Sequence, residues 1–208
     1  DAKQYLESRG LSAETIETLG IGYAPPQGLL SHLKQKGFSA DLASRAGLLN
    51  ERGQEKFRER IMFPIRDLYG KPVGFGGRIT RKDTKAPKYL NSPASPVFEK
   101  RRLLYGLDVS RDFIRKTGYA ILVEGYMDYA VLFEQGVVNA AAALGTAFTE
   151  QHAVLLKRFA QKVYLCFDAD EAGMKAAMRS FQILAPGGLY VYGVPLPPGE
   201  DPDSFIRS

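Results

Sequence analysis

The sequence contains few residues that form disulfides or bind zinc. Its 208 residues include one cysteine, Cys166, and two histidines. A single cysteine excludes an internal disulfide and is typical of a protein from a reducing compartment. One cysteine and two histidines do not supply a usual zinc site, so we expect no zinc in this chain.

Long apolar runs are also missing. No run approaches the roughly 20 residues that cross a bilayer, which predicts no membrane contact. The chain opens at Asp1 without a charged leader or an apolar signal core, and we interpret it as a piece of a longer protein. With 45% hydrophobic residues it can bury the core of one or two domains.

Charge is unevenly distributed along the chain. Residues 56–102 hold 13 Lys and Arg against 4 Asp and Glu, a net +9, so the remainder must carry −4 to give the overall +5. This segregation predicts a surface that binds a polyanion beside an acidic site. The alternative is a solvated basic face without a ligand.

The first half shows short helical patterns followed by a hairpin region. Helices are predicted for 2–9, 12–19 and 39–46, each ending at a glycine. Strands are predicted for 60–66 and 72–79, and Pro64 should place the first of them at an edge or a bulge. Residues 80–100 contain several prolines and are expected to form an extended loop.

From Tyr119 onward, strand and helix patterns alternate. Strands are predicted at 119–123, 137–142, 163–167 and 189–194, with helices at about 126–135, 150–160 and 171–185. This alternation indicates a parallel sheet with right-handed crossovers. The chain is therefore predicted to be an α/β protein, with a mixed α+β, basic subdomain at 1–110 and a parallel-sheet subdomain at 111–208.

Six acidic residues follow the predicted strands of the second half. Carboxyl ends of parallel strands meet at one edge of a sheet, where carboxylates repel one another unless cations neutralise them. Oxygen ligands of this kind suit Mg²⁺ or Mn²⁺. The alternative is a purely structural role, in which some of these acids cap helices or interact with helix dipoles. The six are Glu124, Asp128, Asp168, Asp170, Asp201 and Asp203.

These acids resemble the Toprim pattern, in which a glutamate follows the first strand and an Asp-x-Asp follows a later one. Further segments resemble the RNA polymerase domain of bacterial DnaG-type primases, and the likeness runs nearly end to end. The segments are Phe57-Arg-Glu-Arg-Ile-Met-Phe-Pro-Ile-Arg-Asp67, Gly74-Phe-Gly-Gly-Arg78, Pro87-Lys-Tyr-Leu-Asn-Ser-Pro93, Leu104-Tyr-Gly-Leu107, Val123-Glu-Gly-Tyr-Met-Asp128 and Gly199-Glu-Asp-Pro-Asp203.

The resemblance implies template-directed synthesis of short RNA primers on single-stranded DNA. Ribonucleoside triphosphates would be the substrates and an RNA-DNA hybrid the product, in the bacterial cytoplasm at the replication fork. A replicative helicase would bind through a domain outside this sequence. Two or more Mg²⁺ or Mn²⁺ ions would serve as cofactors.

The resemblance also implies roles for individual residues. Glu124, Asp168 and Asp170 would be catalytic, and all six acids would bind metal. The family's positions for template and incoming nucleotide match Arg9, Arg78, Lys88, Tyr89, Asn91 and Lys100. Whether Glu124 is a metal ligand or a general base stays open at this point.

Two departures and two alternatives accompany this interpretation. Ala169 stands where a glycine is usual, which requires that this residue avoid positive φ, and Ala94 stands where a glutamate is common. A Toprim nuclease or topoisomerase would share the acidic site but cleave nucleic acid. A catalytically silent module that binds single-stranded DNA would share only the basic surface.

Overall fold

The computed structural model describes residues 2–81 and 85–208, so Lys82 of the predicted basic segment lies outside the described residues. The first half contains an antiparallel sheet in the order β1-β2-β3-β4. Its strands are β1 (Gly22–Ala24), β2 (Arg60–Arg66), β3 (Pro72–Ile79) and β4 (Tyr89–Asn91). Its helices are α1 (Ala2–Ser8), α2 (Ala13–Leu19), α3 (Leu29–Gln35) and α4 (Ala40–Arg45).

Local signals account for the helices that the sequence predicts here. Ser12 and Ser39 cap α2 and α4 with side-chain oxygens that accept backbone N–H groups. Gly20 ends α2 in the left-handed conformation at φ 67°. Helix α3 and strand β1 were not predicted. The N-cap residue of α3 is Gly28, which has no side chain to cap the helix, so the usual start signal is absent.

Strand β4 contradicts the prediction that residues 80–100 lack regular structure. It pairs with β3, with Arg78 opposite Tyr89 and Gly76 opposite Asn91. A strand of three residues is too short to show periodicity, and its formation depends on the neighbouring strand. This pairing brings Tyr89 and Asn91 against the glycine-rich part of β3.

Pro64 was predicted to lie on an edge strand or at a bulge. It lies on an inner strand, so the edge alternative is wrong. Strand β2 sits between β1 and β3, but β1 pairs only with residues 60–62. At Pro64, β2 therefore has a strand partner on one side only, which tolerates the missing N–H. A register shift follows between Ile65 and Arg66.

The second half contains a parallel sheet in the order β6-β5-β7-β8, as the strand and helix alternation predicts. Its strands are β5 (Tyr119–Val123), β6 (Ala140–Ala142), β7 (Lys162–Leu165) and β8 (Tyr190–Gly193). Its helices are α5 (Leu107–Thr117), α6 (Tyr126–Glu134), α7 (Glu150–Leu156), α8 (Glu171–Leu184) and α9 (Pro202–Arg207). Strand β6 is shorter than predicted, and α5 and α9 were not predicted.

The two halves pack through aromatic side chains. The ring of Tyr126, in the first turn of α6, stacks on Phe63 of β2 with centroids 5.2 Å apart. Gly76 permits this approach, because a Cβ there would lie 2.4 Å from the Tyr126 ring. The predicted boundary at 110/111 falls inside α5, whose Leu107 and Ile114 belong to the core of the second sheet. The exact boundary stays a prediction.

Among the described residues, no helix is long and apolar enough to cross a membrane.

Candidate active site

Three loops at the carboxyl edge of the parallel sheet carry the predicted acids. Glu124 directly follows β5, Asp168 and Asp170 follow β7, and Asp201 stands after β8 at the start of α9. The chain leaves β5 toward β6 on one side and returns to β7 on the other, so the strand order reverses at β5. Open α/β sheets bind ligands at such a reversal.

Backbone amides hold three of the acids in place. Asp128 Oδ2 accepts from the Gly125 N–H at 3.0 Å. Asp170 Oδ1 accepts from the Gly173 N–H at 2.7 Å and caps α8, and Asp201 Oδ1 accepts from the Ser204 N–H at 2.6 Å and caps α9. The capping alternative therefore holds for Asp170 and Asp201. Each of these bonds uses one carboxylate oxygen and fixes the direction of the other.

The second and third acidic loops are joined through their backbones. The Ala169 N–H donates to the Glu200 carbonyl at 2.9 Å. Among the described residues, the only non-glycine with positive φ is Glu59. Ala169 therefore avoids positive φ, as an alanine in place of the usual glycine must. The loop of Asp168 and Asp170 thereby lies against the loop of Asp201.

Asp203 occupies a different environment from the other acids. It is 2% exposed, and its Oδ2 forms a short salt bridge with Arg9. Its Oδ1 accepts from Arg207 Nε at 2.6 Å. Two residues predicted for separate roles, Arg9 for nucleic acid and Asp203 for metal, thus pair with each other. Their predicted roles remain predictions.

Three of the acids, Glu124, Asp128 and Asp168, have pKa values raised by burial and by neighbouring carboxylates. Burial raises the pKa of Asp128 to about 7, with contributions from Asp168, Asp201 and Asp203. Burial and the charges of Asp168 and Asp170 raise the pKa of Glu124. The pKa of Asp168 is raised by burial and by Asp201 and Asp170. The acids therefore lie close enough to repel one another, which a bound cation would relieve.

These side chains do not converge on one point. Among residues 2–81 and 85–208, no three His, Cys, Asp or Glu side chains form a group that could hold a metal ion. Backbone hydrogen bonds direct the side chains of Asp128, Asp170 and Asp201. The donor set fits a hard divalent cation in chemistry, since it consists of carboxylate oxygens. The ligand set itself stays a prediction.

Arg78 of β3, Lys88 before β4 and Tyr89 of β4 lie near the acids. The charge of Lys88 opposes the upward pKa shift of Asp168, so the two groups are neighbours across the halves. The Arg78 guanidinium lies 3.9 Å from the Tyr5 ring centroid. Burial raises the pKa of Tyr89 to about 12, which Arg78 partly offsets. Lys88, Arg78 and Tyr89 thus form one group beside the acids.

Lys100 lies at the start of a single 3-10 turn, Lys100–Arg102, which we call the basic turn. Burial and the neighbouring charge of Lys56 lower the pKa of Lys100. Two ammonium groups held near each other indicate a surface that favours anions.

Asn91 joins the two halves. Its Oδ1 accepts from the Tyr126 hydroxyl at 2.7 Å, and its Nδ2 donates to the Leu144 carbonyl at 2.7 Å. Tyr126 was not predicted as a site residue, although it stands directly after Glu124-Gly125. Gly76 was the available signal, because a glycine inside a strand often marks a close approach of another group.

Arg60 was not predicted either. It is 4% exposed, and its Nη1 donates to the carbonyls of Gly77 at 3.2 Å and Pro87 at 3.0 Å. These bonds fasten the segment before Lys88 to β3. Its charge and its place in a basic stretch of the sequence gave no sign that it is buried.

A cavity of about 260 Å³ opens beside Glu124 and is lined by Gly145, Thr146, Phe148 and Arg179 among others. The charge of Arg179 opposes the upward pKa shift of Glu124. The cavity therefore combines a carboxylate, a guanidinium and an aromatic wall.

Comparison with protein families assigns both halves of the chain. Residues 1–111 match the DNA primase catalytic core, N-terminal domain, and residues 121–206 match the Toprim-like family. The chain belongs to the DnaG-type primase family. The predicted Toprim-type parallel sheet is thereby confirmed.

Individual primases resemble the chain over its whole length. The DNA primase of Listeria monocytogenes is 44% identical over 214 residues, which cover 100% of this chain and 34% of that protein. A crystal structure of the Aquifex aeolicus primase, comprising zinc-binding and RNA polymerase domains, has a TM-score of 0.93 at 41% identity and covers 99% of this chain and 52% of that one. A DnaG primase catalytic domain bound to single-stranded DNA has a TM-score of 0.87 at 43% identity, covering 99% and 67%. The chain spans about a third of the length of the Listeria relative.

Proposed function

We propose that this chain is the part of a DNA primase that joins ribonucleotides into short RNA primers on single-stranded DNA. The observation that carries the proposal is the position of Lys88 beside Asp168, which sets the basic segment before β4 against acids at the reversal of strand order. Phosphoryl transfer needs such an arrangement, because its catalysis rests on positioning and on charge stabilisation. Primase relatives with the same fold support the assignment.

Toprim primases use divalent metal ions, and we propose two or more Mg²⁺ or Mn²⁺ ions for this chain. Glu124, Asp168 and Asp170 would hold them at the catalytic position, with Asp128, Asp201 and Asp203 completing the acidic set. Such ions would lower the pKa of the primer 3′-hydroxyl and neutralise charge on the leaving pyrophosphate. The raised pKa values of Glu124, Asp128 and Asp168 support a site that a cation stabilises.

Glu124 has an alternative role as general base. Burial, Asp168 and Asp170 raise its pKa, and a carboxylate with a raised pKa is better matched to accepting a proton near neutral pH. Its place beside the cavity would allow it to receive the proton of the 3′-hydroxyl directly.

The basic and polar residues would position template and nucleotide. Lys88, Arg78 and Lys100 would neutralise phosphates, and the Tyr89 ring would offer a stacking face. Asn91 would act by holding β4 against the Leu144 carbonyl. Arg9 would contribute its charge from the salt bridge with Asp203.

The partners follow from this activity. We propose single-stranded DNA, ribonucleoside triphosphates and an RNA-DNA hybrid as ligands, and a replicative helicase that binds elsewhere in the longer protein. The bacterial cytoplasm, at the replication fork, would be the site of action.

Incubation with a single-stranded template, Mn²⁺ and labelled ribonucleotides tests the proposed function. We expect labelled polymer that depends on template and on metal. A shortened template without polymer would identify a nuclease, and salt-dependent binding without either product would identify a silent binding module.

Lys88→Ala should weaken template binding or nucleotide use without unfolding the protein. If Lys88 contacts a DNA phosphate, its loss should flatten the dependence of log K on log salt by about 0.7 for single-stranded DNA. Fluorescence anisotropy at several salt concentrations measures this slope. An unchanged slope with a raised KM for nucleotide would assign Lys88 to the triphosphate instead.

Lys34→Ala is the matched control, because Lys34 is exposed on α3, in the half of the chain that does not carry the acids. We expect wild-type behaviour from it. If both lysine variants behave like the wild type in slope, affinity and nucleotide use, Lys88 belongs to a solvated basic face.

A further inference from the structure

His152 is a fully buried polar residue that the proposed chemistry does not use. It lies in the first turn of α7 and is 0% exposed. The Thr149 N–H donates to its Nδ1 at 3.2 Å, which makes Nδ1 an acceptor without a proton. Its Nε2 lies 3.0 Å from the Lys100 carbonyl and 3.1 Å from the Leu103 carbonyl. Because carbonyl oxygens only accept, Nε2 carries the proton, and the ring is a neutral imidazole that donates to both.

The two carbonyls belong to the first residue of the basic turn, Lys100, and to Leu103, which directly follows the turn. Thr149 adds a third bond, because its Oγ1 donates to the Arg101 carbonyl at 2.8 Å. The start of α7 therefore holds the backbone of the turn at residues 100 and 101 and the residue after the turn, 103. These hydrogen bonds use backbone carbonyls and leave the charged side chains out. Arg101 is exposed, and in the described part of the chain Arg102 forms a salt bridge only with Glu99, at 2.9 Å.

The other side of the imidazole leads to the acidic site. The Phe148 ring meets the His152 ring edge to face at 5.7 Å. Phe148 also stacks on Phe167 with centroids 6.2 Å apart, and Phe167 directly precedes Asp168. Both phenylalanines line the cavity beside Glu124. His152 thus stands between the basic turn and the loop that carries the catalytic acids.

We propose that His152 is a positioning residue that holds the basic turn at a fixed place relative to the acidic site, so that Lys100 and Arg101 meet the phosphates of a single-stranded template while the growing end of the primer lies at Asp168. The inference rests on the proposed function. A neutral donor fits this role, since it binds the carbonyls without adding a charge that would compete for phosphate. A turn that is free to shift would spread its charges over many positions and reach fewer phosphates at once.

Two substitutions separate this role from plain stabilisation. His152→Leu puts an apolar side chain in place of the imidazole and leaves the Lys100 and Leu103 carbonyls without their donor. His152→Gln keeps an amide donor for the carbonyls and an acceptor for the Thr149 N–H, as in an ordinary capping box. The control is His32→Gln, the same exchange at the histidine of α3.

Binding of a fluorescent single-stranded oligonucleotide is measured across salt concentrations, well below the melting temperature of each variant. For His152→Leu we expect the salt slope to fall by about 0.7 for each phosphate that the basic turn no longer reaches, which is about fivefold in affinity at 0.1 M salt. His152→Gln should recover most of the slope, and His32→Gln should match the wild type. Metal affinity, measured by Tb³⁺ luminescence, should not change, because the acids are untouched.

A purely structural role would lower the melting temperature of His152→Leu and leave the slope of the folded protein unchanged, which would overturn the inference. If His152→Leu does not fold, Thr149→Val and Thr149→Ser carry the test: only the valine, which cannot donate to the Arg101 carbonyl, should flatten the slope. Equal slopes for those two variants would also overturn it. Wild-type protein that shows no salt-dependent binding would overturn the proposed function itself, an outcome distinct from the others.

Discussion

Asp168→Asn is expected to reduce nucleotide incorporation by at least about a thousandfold while single-stranded DNA binding survives. Asparagine keeps the size of the side chain and one oxygen but removes the charge that would hold a divalent cation. A metal ion contributes several kcal/mol to stabilising a phosphoryl transition state, and losing about 4 kcal/mol of that corresponds to about a thousandfold in rate. Incorporation of labelled ribonucleotides on a fixed template, with Mg²⁺ and with Mn²⁺, gives the rate.

The same variant should also be more stable than the wild type in the absence of metal. Asp168 is raised in pKa by burial and by Asp201 and Asp170, so its ionised form is unfavourable in the folded protein. A thermal melt in a chelating buffer measures this gain. Asp112→Asn is the matched control, since Asp112 is 70% exposed and its surface ion pairs are worth little. Wild-type incorporation by Asp168→Asn would show that the acids do not hold a catalytic metal.

The metal-free protein is expected to lose stability as the pH rises from about 4 to about 7. The pKa of Asp128 is about 7 in the folded protein, raised from 3.8 mainly by burial and then by Asp168 and Asp201. In this interval the folded state binds more protons than the unfolded state, so the free energy of unfolding falls with pH. A shift of this size is worth at most about 4 kcal/mol. Glu124 and Asp168 add smaller effects of the same sign.

Denaturant unfolding in a chelating buffer at several pH values measures this dependence. Asp128→Asn should be nearly as stable at pH 7.5 as at pH 5 and should keep an acceptor for the Gly125 N–H. Addition of Mg²⁺ should restore stability to the wild type at the higher pH and do less for the variant. If the variant follows the same pH curve as the wild type, the buried acid of Asp128 is not the group that titrates.

The two predictions address different properties of the acidic site. The Asp168 variant tests whether the acids perform chemistry, because incorporation requires bound metal. The Asp128 variant tests whether their crowding destabilises the fold, which requires no substrate. If Asp168→Asn keeps wild-type incorporation while Asp128→Asn loses the pH dependence of stability, the acids form a crowded cluster with no catalytic use.

Several features of this protein are determined within a few residues of sequence. Ser12, Ser39 and Gly20 define helix ends through bonds to their immediate neighbours, so the helical patterns of the first half predict α2 and α4 well. The alternation after Tyr119 predicts the parallel sheet, because its period and its breaks are local. The placement of the acids after the strands follows from the same pattern.

Other features were decided only by tertiary structure, because they join parts of the chain that sequence patterns cannot relate. Asp203 pairs with Arg9 across 194 positions, and this removes both residues from their expected surroundings. Strand β4 exists because β3 supplies its hydrogen bonds. His152 has its partners about 50 positions earlier, at Lys100 and Leu103. Burial and pairing at such separations depend on how the two sheets pack, whereas caps and periodicity depend only on the local backbone.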